Sequence, residues 1–330
     1  MPHPAFTFVA PPGAALTGPL GGRLSGWSIP IKDGTDVAGM PTTHGNPARA
    51  YTAQATDPFA QMLIDAGARV SAKTLTSELG ATCYAERPGV PVLESPAFPG
   101  CTPGGSSAGA AVVVADETMR AAHGFFTRNV GDLFTVTGWA PPARRRLRIG
   151  VLTRGVFADP EVAEGRGADV EKLAAALGRA HDVVEISPYA ESRETYAHFS
   201  TTIKRSFKDV DPMDSGYIAW LKDEAHRIRP EQVAAAKAHT RGLPALLAAQ
   251  WGVDAVLSPT VAFDPPPLGY FPSLSPEESF HAQTEWSPWC SVFNMLRTPA
   301  IALAGVHLGS LKLSGPELLG LAAQAELLRA

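Results

Sequence analysis

Pro103-Gly104-Gly105-Ser106-Ser107-Ala108-Gly109 runs into Ala110-Ala111-Val112-Val113-Val114-Ala115 near the end of the first third of the chain. Tandem glycines ahead of tandem serines predict a tight turn, where backbone amides can come close to a bound group. The apolar run that follows predicts a buried helix or strand. The two serines have two readings, as an N-cap for that element or as reactive hydroxyls at the mouth of the turn. Upstream, Leu24-Ser25-Gly26-Trp27-Ser28-Ile29-Pro30-Ile31-Lys32-Asp33 forms a short apolar strand, and Asp33-Gly34 turns the chain. Lys32 is therefore delivered to a strand end. It is either a solvated ammonium or, if the strand buries it, a neutral base.

The chain has 330 residues, 45% of them hydrophobic and 18% charged, which is a globular composition large enough for one big domain or two modest ones. A net charge of −4 gives no general attraction to nucleic acid or acidic membranes. The compact basic run Arg144-Arg145-Arg146 with Arg148 is expected to be a solvated turn. Cys83, Cys101 and Cys290 lack metal-ligand or redox spacing. No stretch approaches a membrane span, and residues 1–21 do not resemble a secretion signal. The expectation is a cytoplasmic protein without cofactor or metal.

Along the chain, residues 1–25 look like an irregular arm rich in Pro, Gly and Ala. A helix over 57–66 and a strand over 68–74 begin a strand–helix–strand rhythm. Prolines 88, 91, 96, 99 and 103 predict a long extended loop. A helix is expected over 131–137, with Arg128 and Asp132 as an ion pair at helical spacing. The second half reads as a strand at 147–152, helices over 168–179, 193–206 and 214–228, and a strand at 183–186. A proline-containing helix over 233–251 and a strand at 255–260 come next. Residues 265–276 are expected to be loose, before a strand at 300–303 and a closing helix over 316–328. The domain reading is an N-terminal arm (1–25) and a single α/β domain (26–330), divided at 140.

Four elements in order resemble the amidase signature family. They are Ile29-Pro30-Ile31-Lys32-Asp33, then Gly39-Met40-Pro41-Thr42-Thr43-His44-Gly45, then Ala66-Gly67-Ala68 with Lys73-Thr74, and Gly104-Gly105-Ser106-Ser107-Ala108-Gly109. The likeness is dense over about residues 20–115 and resumes at Gly124–Asp132. It implies an α/β fold with a mixed sheet flanked by helices, in shortened form, and hydrolysis of carboxamide C–N bonds. It also implies a Ser–cis-Ser–Lys triad in which Lys32 is the general base and Ser106, after a cis peptide bond, relays the proton. Gly104, Gly105 and Ser107 would line the substrate turn.

The triad's nucleophile is missing. The family carries a second stretch, Gly-x-Asp-x-Gly-Gly-Ser-x-Arg, which supplies the attacking serine and the oxyanion-hole amides. No Gly-Gly-Ser lies between Val114 and Gly138 here, and the economical reading is an internal deletion. Three stand-ins are Ser107, Thr127 and Cys101, the last as a thiol. His44, His123, His181 and His307 are too scattered to suggest a metal or a Ser–His pair. Two functions follow: an impaired hydrolase of small carboxamides, or a non-catalytic descendant that binds a small-molecule amide or related ligand or serves as a partner subunit or homo-oligomer. An amidotransferase-subunit role is disfavoured by the acidic balance and missing chemistry. If the deletion left space, an open, wet cleft between Lys32 and Ser106 is expected.

Overall fold

Asp57 starts the first helix because its carboxylate accepts the Phe59 amide at 2.8 Å and Pro58 presets the first turn. Such local signals recur along the chain, whose computed structural model describes residues 3–117, 119, 121–122 and 125–329. Strands β1 (Phe6–Val9), β2 (Leu16–Thr17), β3 (Ile31–Lys32), β4 (Pro41–Thr42) and β5 (Tyr51–Thr52) precede helix α1 (Pro58–Asp65). Strands β6 (Arg69–Val70) and β7 (Ala72–Thr74) lead to helix α2 (Ala108–Ala115). The pair β8 (Ala121–Ala122) and β9 (Phe126–Thr127) comes next, then helix α3 (Val130–Thr137). After β10 (Arg148–Val151), α4 (Glu164–Leu177) and β11 (Asp182–Glu185) come α5 (Ser192–Ser206), α6 (Gly216–Arg227) and α7 (Pro230–Gln250). The chain ends through β12 (Ala255–Pro259), α8 (Tyr270–Ser273), α9 (Pro276–Trp286), α10 (Cys290–Leu296), β13 (Ala300–Leu303), β14 (Val306–Ser310) and α11 (Gly315–Arg329).

Two compact units result, Met1–Trp139 with Pro265–Ser275, and Ala140–Asp264 with Pro276–Ala330. In the first, β7 is the middle strand of three, antiparallel to β1 and parallel to β3. Register places Lys32 opposite Thr74 and Ile31 opposite Lys73. In the second, a mixed sheet runs β11-β10-β12-β14-β13, parallel across its first three strands and antiparallel across the rest. All five residues of β12 are buried, as a central strand covered on both faces requires. The expected mixed α/β fold is present, with its strands divided between the units.

Three expectations are corrected. Residues 1–25 are not an irregular arm: the alternation Phe6-Thr7-Phe8-Val9 pairs with β7, and Leu16–Thr17 pairs with β6. Residues 265–275 are not loose either. Thr102 donates its amide to Pro266 O at 3.0 Å and Leu268 donates to Gly100 O at 2.9 Å. Phe271 is 1% exposed and stacks on Tyr84 with ring centroids 5.0 Å apart. Prolines there set an extended path that backbone and aromatic contacts then hold. Finally, Arg128 and Asp132 form no ion pair. Helix α3 begins at Val130 with Asn129 as its cap, so Arg128 lies outside the helix and donates to Glu117 O instead.

Candidate active site

Helix α2 is apolar on every side, with Ala108, Gly109, Ala110, Val112, Val113 and Val114 buried. It can lie against β7 because Gly109 has no side chain: a Cβ there would meet Ala5 O and Leu75 N at 2.5 Å. The Gly109 amide donates to Leu75 O at 3.0 Å. This close approach sets the N-terminal end of α2, and with it Ser106 and Ser107, beside the β3–β7 pair.

The turn itself is equally constrained. A Cβ on Gly105 would meet the backbone of Cys83 and Tyr84 at 2.9 Å. The Gly105–Ser106 peptide bond is cis, as the resemblance implied. Ser106 O accepts from the Ser77 amide at 3.0 Å and from Thr76 Oγ1 at 2.8 Å. With its carbonyl held on that side, the Ser106 hydroxyl is presented to β3. There Lys32 Nζ donates to Ser106 Oγ at 2.7 Å.

Lys32 is half-buried, and desolvation pushes its ammonium below the ordinary lysine value. Ile29 and Ile31, both essentially inaccessible, supply the apolar flank. The expected wet cleft between Lys32 and Ser106 is therefore corrected: the two side chains are in direct contact, with no room for a molecule between them.

Around this pair the motif residues act as scaffold. Asp33, wholly buried, accepts from the Thr43 and Gly45 amides, each at 3.2 Å, and from the Thr43 hydroxyl. Lys73, also wholly buried, donates to Pro41 O and Thr42 Oγ1, each at 3.0 Å. Burial lowers the Lys73 pKa, and the charges of Asp33 and Asp36 oppose that shift. Together these contacts pin the Gly39–Gly45 loop beside the strand end. The scaffolding roles of Asp33, Lys73 and Thr76 were not assigned from the sequence. The Asp33 and Lys73 positions within the recurring motifs were the available signal.

The stand-in nucleophiles fare differently. Ser107 is the N-cap residue of α2, yet its hydroxyl makes no capping hydrogen bond. Thr127 lies on β9 with its hydroxyl donating to Asn129 O at 2.9 Å. Cys101 sits on a backbone bridge to Pro267 and is a free, partly exposed thiol. Among the described residues, neither Thr127 nor Cys101 hydrogen-bonds to Lys32 or Ser106. After α2 the backbone turns at Glu117, where φ is +65°, and enters the β8–β9 pair. The expected likeness at Gly124, like His123, falls outside the described residues.

Residues 13–125 match the family described as Amidase. That span contains all four motif elements and the Lys32–Ser106 pair. Residues 13–125 belong to the amidase signature family. The putative amidase AmiA2 of Mycobacterium tuberculosis (strain ATCC 25618 / H37Rv) is 42% identical over 150 residues, covering 41% of this chain and 30% of that protein. The match thus spans under a third of that relative's length. Solved structures share the fold across the amidase-family segment and beyond it. A 6-aminohexanoate cyclic dimer hydrolase in complex with substrate superposes with a TM-score of 0.80 over 92% of this chain and 85% of that one, at 22% identity. A bacterial aryl acylamidase of the amidase signature family gives 0.73 over 93% and 83%, at 15% identity.

Proposed function

We propose that this amidase-family protein is an amide hydrolase of small carboxamide C–N bonds whose activity is impaired. The observation that carries the reading is the 2.7 Å contact between Lys32 Nζ and Ser106 Oγ, with Lys32 desolvated. In this reading Lys32, in its neutral form, takes the Ser106 hydroxyl proton, and Ser106 takes a proton from the attacking group. The attacking oxygen adds to the amide carbonyl, the amine leaves with a proton returned through Ser106, and water completes hydrolysis to acid and amine.

The impairment follows from what the segment between Ala115 and Phe125 lacks. Without a Gly-Gly-Ser, neither the attacking serine nor its flanking backbone donors are supplied there. One oxyanion donor is typically worth on the order of 10²–10³ in kcat, and the nucleophile more. Ser107 is the nearest hydroxyl in sequence to the relay and is the leading stand-in. A second reading, favoured by the same gap, is a non-catalytic protein that binds a small amide or serves as a partner subunit.

Intact-mass labelling with a fluorophosphonate separates the two. A single adduct in the wild type, lost in Lys32→Ala and Ser106→Ala and mapped to one residue, establishes the impaired hydrolase and names its nucleophile. If a catalytically competent family member labels alongside and this chain does not, the hydrolase reading falls. The binding reading then requires a small carboxamide to raise the melting temperature.

A further inference from the structure

Glu194 and His198 are four residues apart on α5 and so share one face of that helix. His239 meets them from α7, which packs along α5. One ligand-type atom from each of the three residues lies within 4.8 Å of the others. His198 Nε2 is 3.5 Å and His239 Nδ1 is 3.8 Å from Glu194 Oε1, and the two imidazole rings are 4.6 Å apart. Both separations from the carboxylate exceed a good hydrogen bond. They come close to the roughly 3.3 Å between ligand atoms that a tetrahedral ion with bonds of about 2.0–2.1 Å would impose.

A second feature concerns the other nitrogen of His239. Its Nε2 lies 2.8 Å from Thr195 Oγ1, and the Thr195 hydroxyl donates to Glu191 O at 3.0 Å. With its single proton committed there, Thr195 accepts from His239, so Nε2 carries the hydrogen and Nδ1 is left with a bare lone pair. Nδ1 then lies 3.8 Å from Glu194 Oε1, a contact satisfied either by a proton on Nδ1 or by a metal cation between the two. A ligating histidine fixed through its second nitrogen is the usual outer-shell pattern of a metal site.

We propose that Glu194, His198 and His239 form a zinc-binding site that clasps α5 to α7. Imidazole and carboxylate suit a borderline divalent ion, and three ligands leave a fourth position for water on the side of Glu194, whose side chain is 60% exposed. The site lies wholly within the second unit and does not depend on the hydrolase reading.

The test is calorimetric titration of zinc into the full-length, chelator-treated protein, with thermal melts in parallel. One site per chain of micromolar affinity or better is expected, with a melting temperature that rises with zinc. His198→Ala and His239→Ala should each weaken binding at least tenfold, and Thr195→Val should weaken it by about tenfold through loss of the outer-shell contact. Glu194→Gln changes a largely exposed side chain without altering its size, so it keeps the test valid if a histidine variant fails to fold. No binding at sub-millimolar zinc overturns the proposal. So does a site whose affinity is unchanged in Glu194→Gln or in a folded His198→Ala, because the ion would then be held elsewhere.

Discussion

Lys32 and Lys73 sit on adjacent strands with apolar neighbours, yet the structure uses them differently. Lys73 is wholly buried, and its ammonium spends two hydrogen bonds on Pro41 O and Thr42 Oγ1 while Asp33 and Asp36 offset its desolvation. Lys32 is half-buried and its ammonium donates one side-chain hydrogen bond, to Ser106. Substitution should therefore separate stability from chemistry. Lys73→Met leaves a buried carbonyl and hydroxyl without their charged donor and should lower unfolding free energy by about 2–3 kcal/mol. Lys32→Met removes one partly solvated hydrogen bond and should cost about 1 kcal/mol or less. Urea midpoints at fixed pH measure both, and equal losses would contradict the division. That Lys32 and Ser106 belong to one site was legible because both lie in motifs whose order is conspicuous. The direct contact between them was not, because it depends on Thr76 and Ser77 holding the far side of Ser106.

At the scale of elements, helices with a cap and a stop could be read closely. Asn129 caps α3 by accepting the Asp132 amide at 2.8 Å, and Gly138 closes it in the left-handed region. Strand β14 was missed, since Val306-His307-Leu308-Gly309-Ser310 carries His307, Gly309 and Ser310 among only two apolar residues and looks like loop. Its burial comes from tertiary packing: the His307 ring sits 4.9 Å from the Phe293 ring and its Nδ1 3.4 Å from Ser258 Oγ on β12. This burial makes a pH prediction. Desolvation lowers the His307 pKa from 6.5 to about 4, so between these values the unfolded chain binds more protons than the folded one. Its contribution is intact above pH 6.5 and is lost as pH falls toward 4, amounting to about 3 kcal/mol. Unfolding free energy measured from pH 7 to 4 should fall more steeply in the wild type than in His307→Leu. Parallel slopes would mean the buried imidazole is not the group responsible.

At the scale of the whole molecule, the sequence order conceals which residues fold together. The first unit gives way to the second between Trp139 and Ala140, but Pro265–Ser275 returns to the first unit after more than a hundred residues spent in the second. Nothing in that proline-rich stretch marks its destination, because an aromatic ring signals burial without naming its partner. The structure supplies the partners: Phe271 against Tyr84, the Gly269 amide on Glu86, and backbone bonds to Gly100 and Thr102. These contacts fall along residues 84–102, a stretch with little regular structure of its own, which runs directly into the Gly104–Ser107 turn. Phe271 thus anchors a remote piece of chain against the approach to the candidate site. Phe271→Ala should cost about 3–5 kcal/mol by leaving a cavity beside Tyr84. The loss should also be local. Limited proteolysis of the folded variant should show faster cutting within residues 85–102, with cleavage in the second unit unchanged. Uniform acceleration across both units would instead mean that the two lose structure together, and that Phe271 contributes to global rather than local stability.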